Sequence, residues 1–208
     1  MESLAYVLTS GWASGVNVYA TLLMIGLIGR FGDVERAPDV LERTDVLLLT
    51  AVLTALEFVA DKIPYVDSAW DAVHTVIRPA VGAILGALLA GEADDLGEAA
   101  GAVLGGTTAL ASHAAKASLR LAVNASPEPV SNIVLSLSEN TAVVGVLLLA
   151  IDYPWLALAI AMALLVAAGV FAVVLIRTIR RGWDRLLRGP PDAKPSRFGG
   201  VGSPPERN

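Results

Sequence analysis

The fold is decided by YPWLALAIAMALLVAAGVFAVVLI, residues 153–176, a run without a single charged side chain. As a helix this run measures about 36 Å, more than the roughly 30 Å of hydrocarbon in a bilayer. The composition agrees with a lipid setting: 55% of the 208 residues are hydrophobic, 17% are charged, and the mean hydropathy is +0.63. A water-soluble domain carries about one charged residue in four. Cysteine is absent, which excludes disulfides, thiolate metal sites and thiol nucleophiles.

Working outward, Ser3 to Gly29 is also free of charge and long enough to span. It opens on Glu2 instead of a basic patch and is too long for a signal's apolar core, so it reads as a retained span. Four weaker segments lie between these two runs. Val46 to Ile63 is apolar apart from Glu57, Asp61 and Lys62, and Val66 to Gly91 turns wholly apolar after Arg78-Pro79. Ala99 to Val123 is Gly/Ala-rich before His113, Lys116 and Arg120, and Glu139 is the one charge between Glu128 and Asp152. The pattern predicts an all-α polytopic transmembrane bundle of about six spans. Four spans plus two re-entrant or interfacial helices is the alternative, because Pro79 interrupts one segment and Asn132 to Asn140 is polar at every third or fourth position.

Prolines at 64, 127 and 154 mark short turns, and residues 91–98 form an acidic one. Residues 1–188 read as one transmembrane domain, and the Pro/Gly-rich stretch 189–208 as a disordered tail. From Arg177 onward there are eight Lys/Arg against three Asp/Glu, so the carboxyl terminus is expected in the cytoplasm. Six crossings would place the amino terminus there too, with the loop carrying Arg30, Arg36 and Arg43 outside, a mild conflict with the charge rule. Trp183 and its neighbouring arginines extend the last helix along the membrane surface, as an anchor or a contact for anionic lipid.

Ionisable side chains inside such segments cost at least ~2.5 kcal/mol each and normally pair or line a pathway. Asp67, Asp71, His74 and Arg78 recur at spacings of four, three and four, on one helical face. Glu57 and Asp61 share a face of the preceding helix, and the turn at Pro64 folds the two together. Shifting Asp67, Asp71 and His74 by 65 positions lands on Asn132, Ser136 and Glu139, which suggests a degenerate internal hairpin repeat. His113, Lys116 and Arg120 form a basic stripe.

Two readings follow. The stripes are internal ion pairs, with Asp61, Asp67 and Asp71 neutralising Lys116, Arg120 and Arg78. Or Glu57, Asp61, Asp67, Asp71, His74, Asn132, Ser136 and Glu139 line a path for an ion or small solute, with Arg78, His113, Lys116 and Arg120 as charge partners. In the first span, Gly11, Gly15 and Asn17 mark a helix break or a close helix contact. Histidine and carboxylate suit zinc, manganese or iron, but no H-E-x-x-H motif and no histidine pair on one helix occurs, which leaves a metal open. No G-x-S-x-G turn is present, and Gly101, Gly105 and Gly106 sit among alanines as packing residues.

Three stretches carry a family resemblance: S-G-x-x-S-G-V-N-x-Y at Ser10 to Tyr19, EFVADKIPYVDSAWDAVHTVIRP at Glu57 to Pro79, and HAAKASLRLAVNASPEPVSN at His113 to Asn132. Over about residues 5–150 the chain resembles the membrane family catalogued as domain of unknown function 4126. The resemblance implies an integral membrane protein. It marks Glu57, Asp61, Lys62, Asp67, Trp70, Asp71, His74, Arg78, His113, Lys116, Asn124, Glu128 and Asn132 as motif positions without giving roles. Glu57 to Lys62 is also faintly similar to the E-x-G-D-K motif of small six-span cation exchangers, departing by one residue and by Ala60 in place of glycine.

The leading expectation is a small transporter or channel for an ion or small solute. The alternative is a structural or partner-binding membrane protein whose charges are internal salt bridges, and the third is a membrane enzyme acting on lipids. No enzyme activity, no cofactor and no nucleic-acid partner is expected; the bilayer is the expected partner, and homo-oligomerisation is open.

Overall fold

A computed structural model describes residues 2–32, 37–91, 97–124 and 129–188, all of whose regular structure is helical. In chain order the helices are α1 (Glu2–Val16), α2 (Val18–Phe31), α3 (Asp39–Glu42), α4 (Thr44–Ala60), α5 (Pro64–Gly91), α6 (Glu98–Asn124), α7 (Pro129–Asp152) and α8 (Pro154–Arg188). The acidic stretch 92–96, the turn 125–128 with Glu128, and the tail 189–208 lie outside the described residues. Three prolines open helices: Pro64, Pro129 and Pro154 each occupy a first position, where the missing N–H has no intrahelical acceptor to lose. Pro79 does not break the chain, and α5 runs through it.

Three helices contain stretches long and apolar enough to cross a membrane: Val66–Gly91, Val130–Asp152 and Pro154–Arg181. Their exposed surfaces are hydrophobic; Val166, Val170 and Val174 of α8 stand outward, each more than half exposed. Such a surface is consistent with association with lipid.

The first apolar run departs from the expected single span. It consists of two helices of 15 and 14 residues separated by Asn17, which sits in extended conformation at φ −147°, ψ 102°. Tyr6, Thr9 and Ser10 of α1 line the same small cavity as Ile25 and Ile28 of α2, so the chain turns back at Asn17. Each arm is about 21–23 Å long, too short to cross alone. The glycines of α1 keep their helix and serve close packing. A Cβ on Gly15 would overlap Ser112 Oγ and the Ala109 backbone of α6, and one on Gly11 would lie 2.7 Å from the Gly105 carbonyl oxygen.

The closest helix pair is α5 with α6, which pack through Gly82 and Gly86 against Gly101 and Gly105. Small residues let the two backbones touch near the end of the hairpin where α5 stops and α6 begins. A dry core of Trp12, Val16, Val143, Leu147 and Ala161 joins α1, α7 and α8. Polar residues collect at the other end of the α5/α6 pair, around the turn-back of α1 and α2.

Candidate functional site

The stripes read from the sequence converge. Helical spacing aligns Asp67, Asp71, His74 and Arg78 along α5, and His113, Lys116 and Arg120 along α6. The end of α4 brings Glu57 and Asp61, and α7 brings Asn132, Ser136 and Glu139. Apart from Glu139, all of these residues are buried.

Their geometry is mutual neutralisation. Arg78 Nη2 donates to Glu57 Oε1 at 2.6 Å, with both side chains fully buried, and its Nη1 lies 3.2 Å from Asp71 Oδ1. Lys116 Nζ lies 3.3 Å from Asp61 Oδ2, 3.7 Å from Glu139 Oε2 and 3.8 Å from Glu57 Oε1. Arg120 donates to Glu139 Oε2 at 2.6 Å and to Asp61 Oδ2 at 3.2 Å, while its Nη1 is 3.3 Å from Asp67 Oδ1. Each cation touches at least two carboxylates, and the network ties α4, α5, α6 and α7 together.

These cations also close the broken helix. A helix end leaves carbonyls without partners and carries a partial negative charge, which within a membrane must be met by protein. Lys116 Nζ donates to the Val16 carbonyl at 2.9 Å and Arg78 Nη1 to the Gly15 carbonyl at 3.4 Å, and one turn earlier Ser112 Oγ adds a bond to the Trp12 carbonyl at 2.8 Å. On the far side of the break, Asn17 Oδ1 accepts the Ala20 N–H at 2.9 Å and caps α2, while Asn17 Nδ2 donates to Asn140 Oδ1 at 2.9 Å. The turn-back therefore ends on the charge network from above and on α7 from the side.

Each histidine is held through both ring nitrogens. An arginine only donates, so the 2.8 Å contact of Arg78 Nη1 with His113 Nδ1 makes that nitrogen an acceptor. His113 then carries its proton on Nε2 and gives it to Thr75 Oγ1 at 3.1 Å, while the Thr75 hydroxyl donates to the Asp71 carbonyl. His74 donates from Nδ1 to the Trp70 carbonyl at 2.8 Å, and its Nε2 meets the Tyr19 hydroxyl at 3.1 Å. Trp70 stacks on the His74 ring at 5.0 Å and Tyr19 meets it edge-on at 5.4 Å. Among the described residues no group of three or more His, Asp or Glu is placed to hold a metal ion.

This arrangement overturns the expected transport pathway. Glu57, Asp61, Asp67, Asp71 and Glu139 were expected to line a path, but each is engaged by Arg78, Lys116 or Arg120 inside the bundle. The physical reason is desolvation: a carboxylate this deep is retained by a fixed cation at hydrogen-bonding range, and the cations sit on the facing helix stripes. The pairing Asp61 with Lys116, Asp67 with Arg120 and Asp71 with Arg78 is the one the alternative reading gave. Asn132 and Ser136 are buried on α7. Sequence reasoning missed Tyr19, Asn140 and Thr75, and did not foresee that Lys116 and Arg78 reach the α1 carbonyls. Asn140 follows Glu139 directly and closes the polar series from Asn132 that the sequence shows; Tyr19 lies within the quoted first motif.

A family model described as "Domain of unknown function (DUF4126)" matches residues 4–174. No curated protein and no solved structure matches the chain.

Proposed function

We propose that this chain, which belongs to the DUF4126 family, is a non-enzymatic, multi-pass membrane protein of structural or partner-binding role, whose buried charges act as internal salt bridges that lock a re-entrant helical hairpin into a helical bundle. The observation that carries the reading is the fully enclosed Arg78–Glu57 pair, 2.6 Å apart and continuous with the clasp on the end of α1. In this reading α1 and α2 dip into the bilayer and return to the side they came from. Helices α4 to α8 make five crossings, and the basic end of α8 lies in the cytoplasm.

Charge exchange tests it. Glu57→Arg and Arg78→Glu each leave like charges buried together, and each is expected to cost about 3–5 kcal/mol and most of the folded protein. The double exchange restores a pair and is expected to recover folded protein above either single variant, as monodisperse yield from detergent. Failure of the double exchange to improve on either single variant, or ion flux through wild-type proteoliposomes above empty vesicles, overturns the reading.

A further inference from the structure

Helices α5 and α6 touch through glycine at one end only. Gly82 and Gly86 meet Gly101 and Gly105, whereas residues 64–81 of α5 and 107–124 of α6 contain no glycine. Between those two stretches lies a crevice of about 190 Å³. Ser68, Asp71, Thr75 and Arg120 supply its polar lining, and Ala72 and Leu121 belong to its apolar part. Leu121 is 68% exposed, so the apolar wall runs on into the outer surface of α6. Asp71 stands seven residues, about 10 Å, from the Pro64 that opens α5, and Arg120 four residues from the Asn124 that closes α6. In a helix pair that crosses a bilayer, this is the depth at which lipid heads meet the hydrocarbon.

Asp71 is the unfinished group in that lining. Arg78 Nη1 is an ion-pair neighbour of its Oδ1 at 3.2 Å, but Oδ1 is buried and accepts no hydrogen bond. The Asp71 side chain keeps 9% of its surface accessible, and among the described residues no hydrogen-bond donor reaches Oδ2 either. Arg120 has its Nη atoms taken by the Asp61 carbonyl, Asp61 Oδ2 and Glu139 Oε2. A carboxylate short of donors is costly, and an O–H from a ligand recovers that cost. Charge then selects the head. A cationic head would stand beside Arg78 and Arg120, and an anionic one would face Asp71 itself. A neutral head with hydroxyl donors meets neither repulsion.

We infer that this crevice binds the glycerol head of a neutral monoacylglycerol lipid, with Asp71 accepting from one hydroxyl and the chain running out past Ala72 and Leu121. The second hydroxyl lies toward Ser68 and Thr75. Thr75 already gives its proton to the Asp71 carbonyl, so its oxygen is left to accept. At about 30 Å³ for each water-sized group the space holds about six, which matches the three carbons and three oxygens of glycerol. The inference goes beyond the scaffold reading and does not depend on it, because a bundle locked by ion pairs holds with or without a lipid in its flank.

The test uses the full chain in phosphatidylcholine nanodiscs, whose lipid heads carry no hydroxyl, with monooleoylglycerol as the probe. At a mole fraction tenfold above half-saturation it is expected to raise the unfolding midpoint saturably by about 3–5 °C. Its dimethyl ether, with the same chain and oxygens but no donor, is expected to give no saturable rise, and neither are oleylammonium and oleate. Asp71→Ala, which leaves Arg78 paired with Glu57, is expected to abolish the response. Ala72→Trp, which fills the crevice from α5 without touching a charge, is expected to abolish it as well and serves if the alanine variant does not fold. No rise in the wild type, an equal rise with the dimethyl ether or a charged amphiphile, or a rise that survives either substitution overturns the assignment. So does an equal rise from free glycerol at the same concentration, which would put a soluble polyol in the crevice. The response is read on the wild-type chain, so a failed charge exchange at Glu57 and Arg78 removes the scaffold reading and leaves this one standing.

Discussion

Arg78 shows how much one side chain holds. Its guanidinium reaches Glu57 on α4, Asp71 on its own helix, His113 on α6 and the Gly15 carbonyl of α1. A lysine has one charged nitrogen and cannot serve these directions together. Arg78→Lys is therefore expected to lower stability by about 2–4 kcal/mol although the charge is kept, read as a fall in unfolding midpoint in detergent. A fall of less than a degree would mean that the planar fork is dispensable. Contrast Arg43 and Asp45, which form a two-bond pair at 3.1 and 2.7 Å in full exposure. The hydrogen bond from Arg43 holds the Asp45 carboxyl below its ordinary value. A lowered folded-state value stabilises above the unfolded value and is lost as the pH falls through the folded one. Arg43→Ala is expected to let the Asp45 carboxyl resonance titrate higher in ¹³C NMR, while the unfolding midpoint at neutral pH stays unchanged, since solvent screens an exposed pair. At this scale the sequence was informative about partners: opposite stripes at helical spacing gave three of the pairs, because burial leaves a charge few options. It was silent on Glu57 with Arg78 and Glu139 with Arg120, which depend on how far α4 and α7 lean toward the α5/α6 pair.

Among the elements, the α1/α2 turn-back is half legible: Asn17 stands among the residues that mark a helix break, but nothing local gives the reversal of direction. Ser3 to Gly29 has the length and hydropathy of a span, and no proline marks its middle. One asparagine redirects it, because Asn17 supplies the cap for α2 while the α1 carbonyls find donors 100 residues along the chain, Ser112 and Lys116. Hydropathy counts only the segment; the donors belong to the fold. The motif glycines were legible as either a break or a contact, and Gly11 and Gly15 are contacts with α6. Asn17→Leu removes the cap and the bond to Asn140 together, and is expected to cost about 2 kcal/mol, a fall of roughly 4–8 °C in unfolding midpoint. Asn17→Asp keeps the cap but brings another carboxylate to a network already rich in them, so it is expected to lie below the wild type as well. A wild-type midpoint for the leucine variant would show that the turn-back holds itself without its cap. At the α5/α6 contact, Gly105→Val drives a branched side chain into the Gly82 and Gly86 backbone. Overpacking of about 1–3 kcal/mol is expected there, with the larger value favoured by backbone neighbours that cannot rotate away.

For the whole molecule, the turn-back changes the accounting of sides. A chain of six crossings has both termini on one face of the membrane, whereas a re-entrant first run followed by five crossings puts them on opposite faces. In both arrangements the stretch carrying Arg30 and Arg43 lies five crossings from the carboxyl terminus and faces away from the arginines that follow Ile176; only the amino terminus, with Glu2, changes sides. The absence of native cysteine makes the distinction measurable by single substitutions on an otherwise unreactive chain. Glu2→Cys and Phe31→Cys, exposed at the two ends of the hairpin, are expected to react with an impermeant maleimide from the same side of sealed vesicles. Lys62→Cys, at the end of α4, and Thr178→Cys, beyond the apolar run of α8, are expected to react from the other. Labelling of Phe31→Cys from the side opposite Glu2→Cys would restore a true first span and remove the re-entrant hairpin. It would also leave Lys116 and Arg78 capping a helix end that a crossing chain does not have, so the same result would undo the physical reason given for the basic stripe.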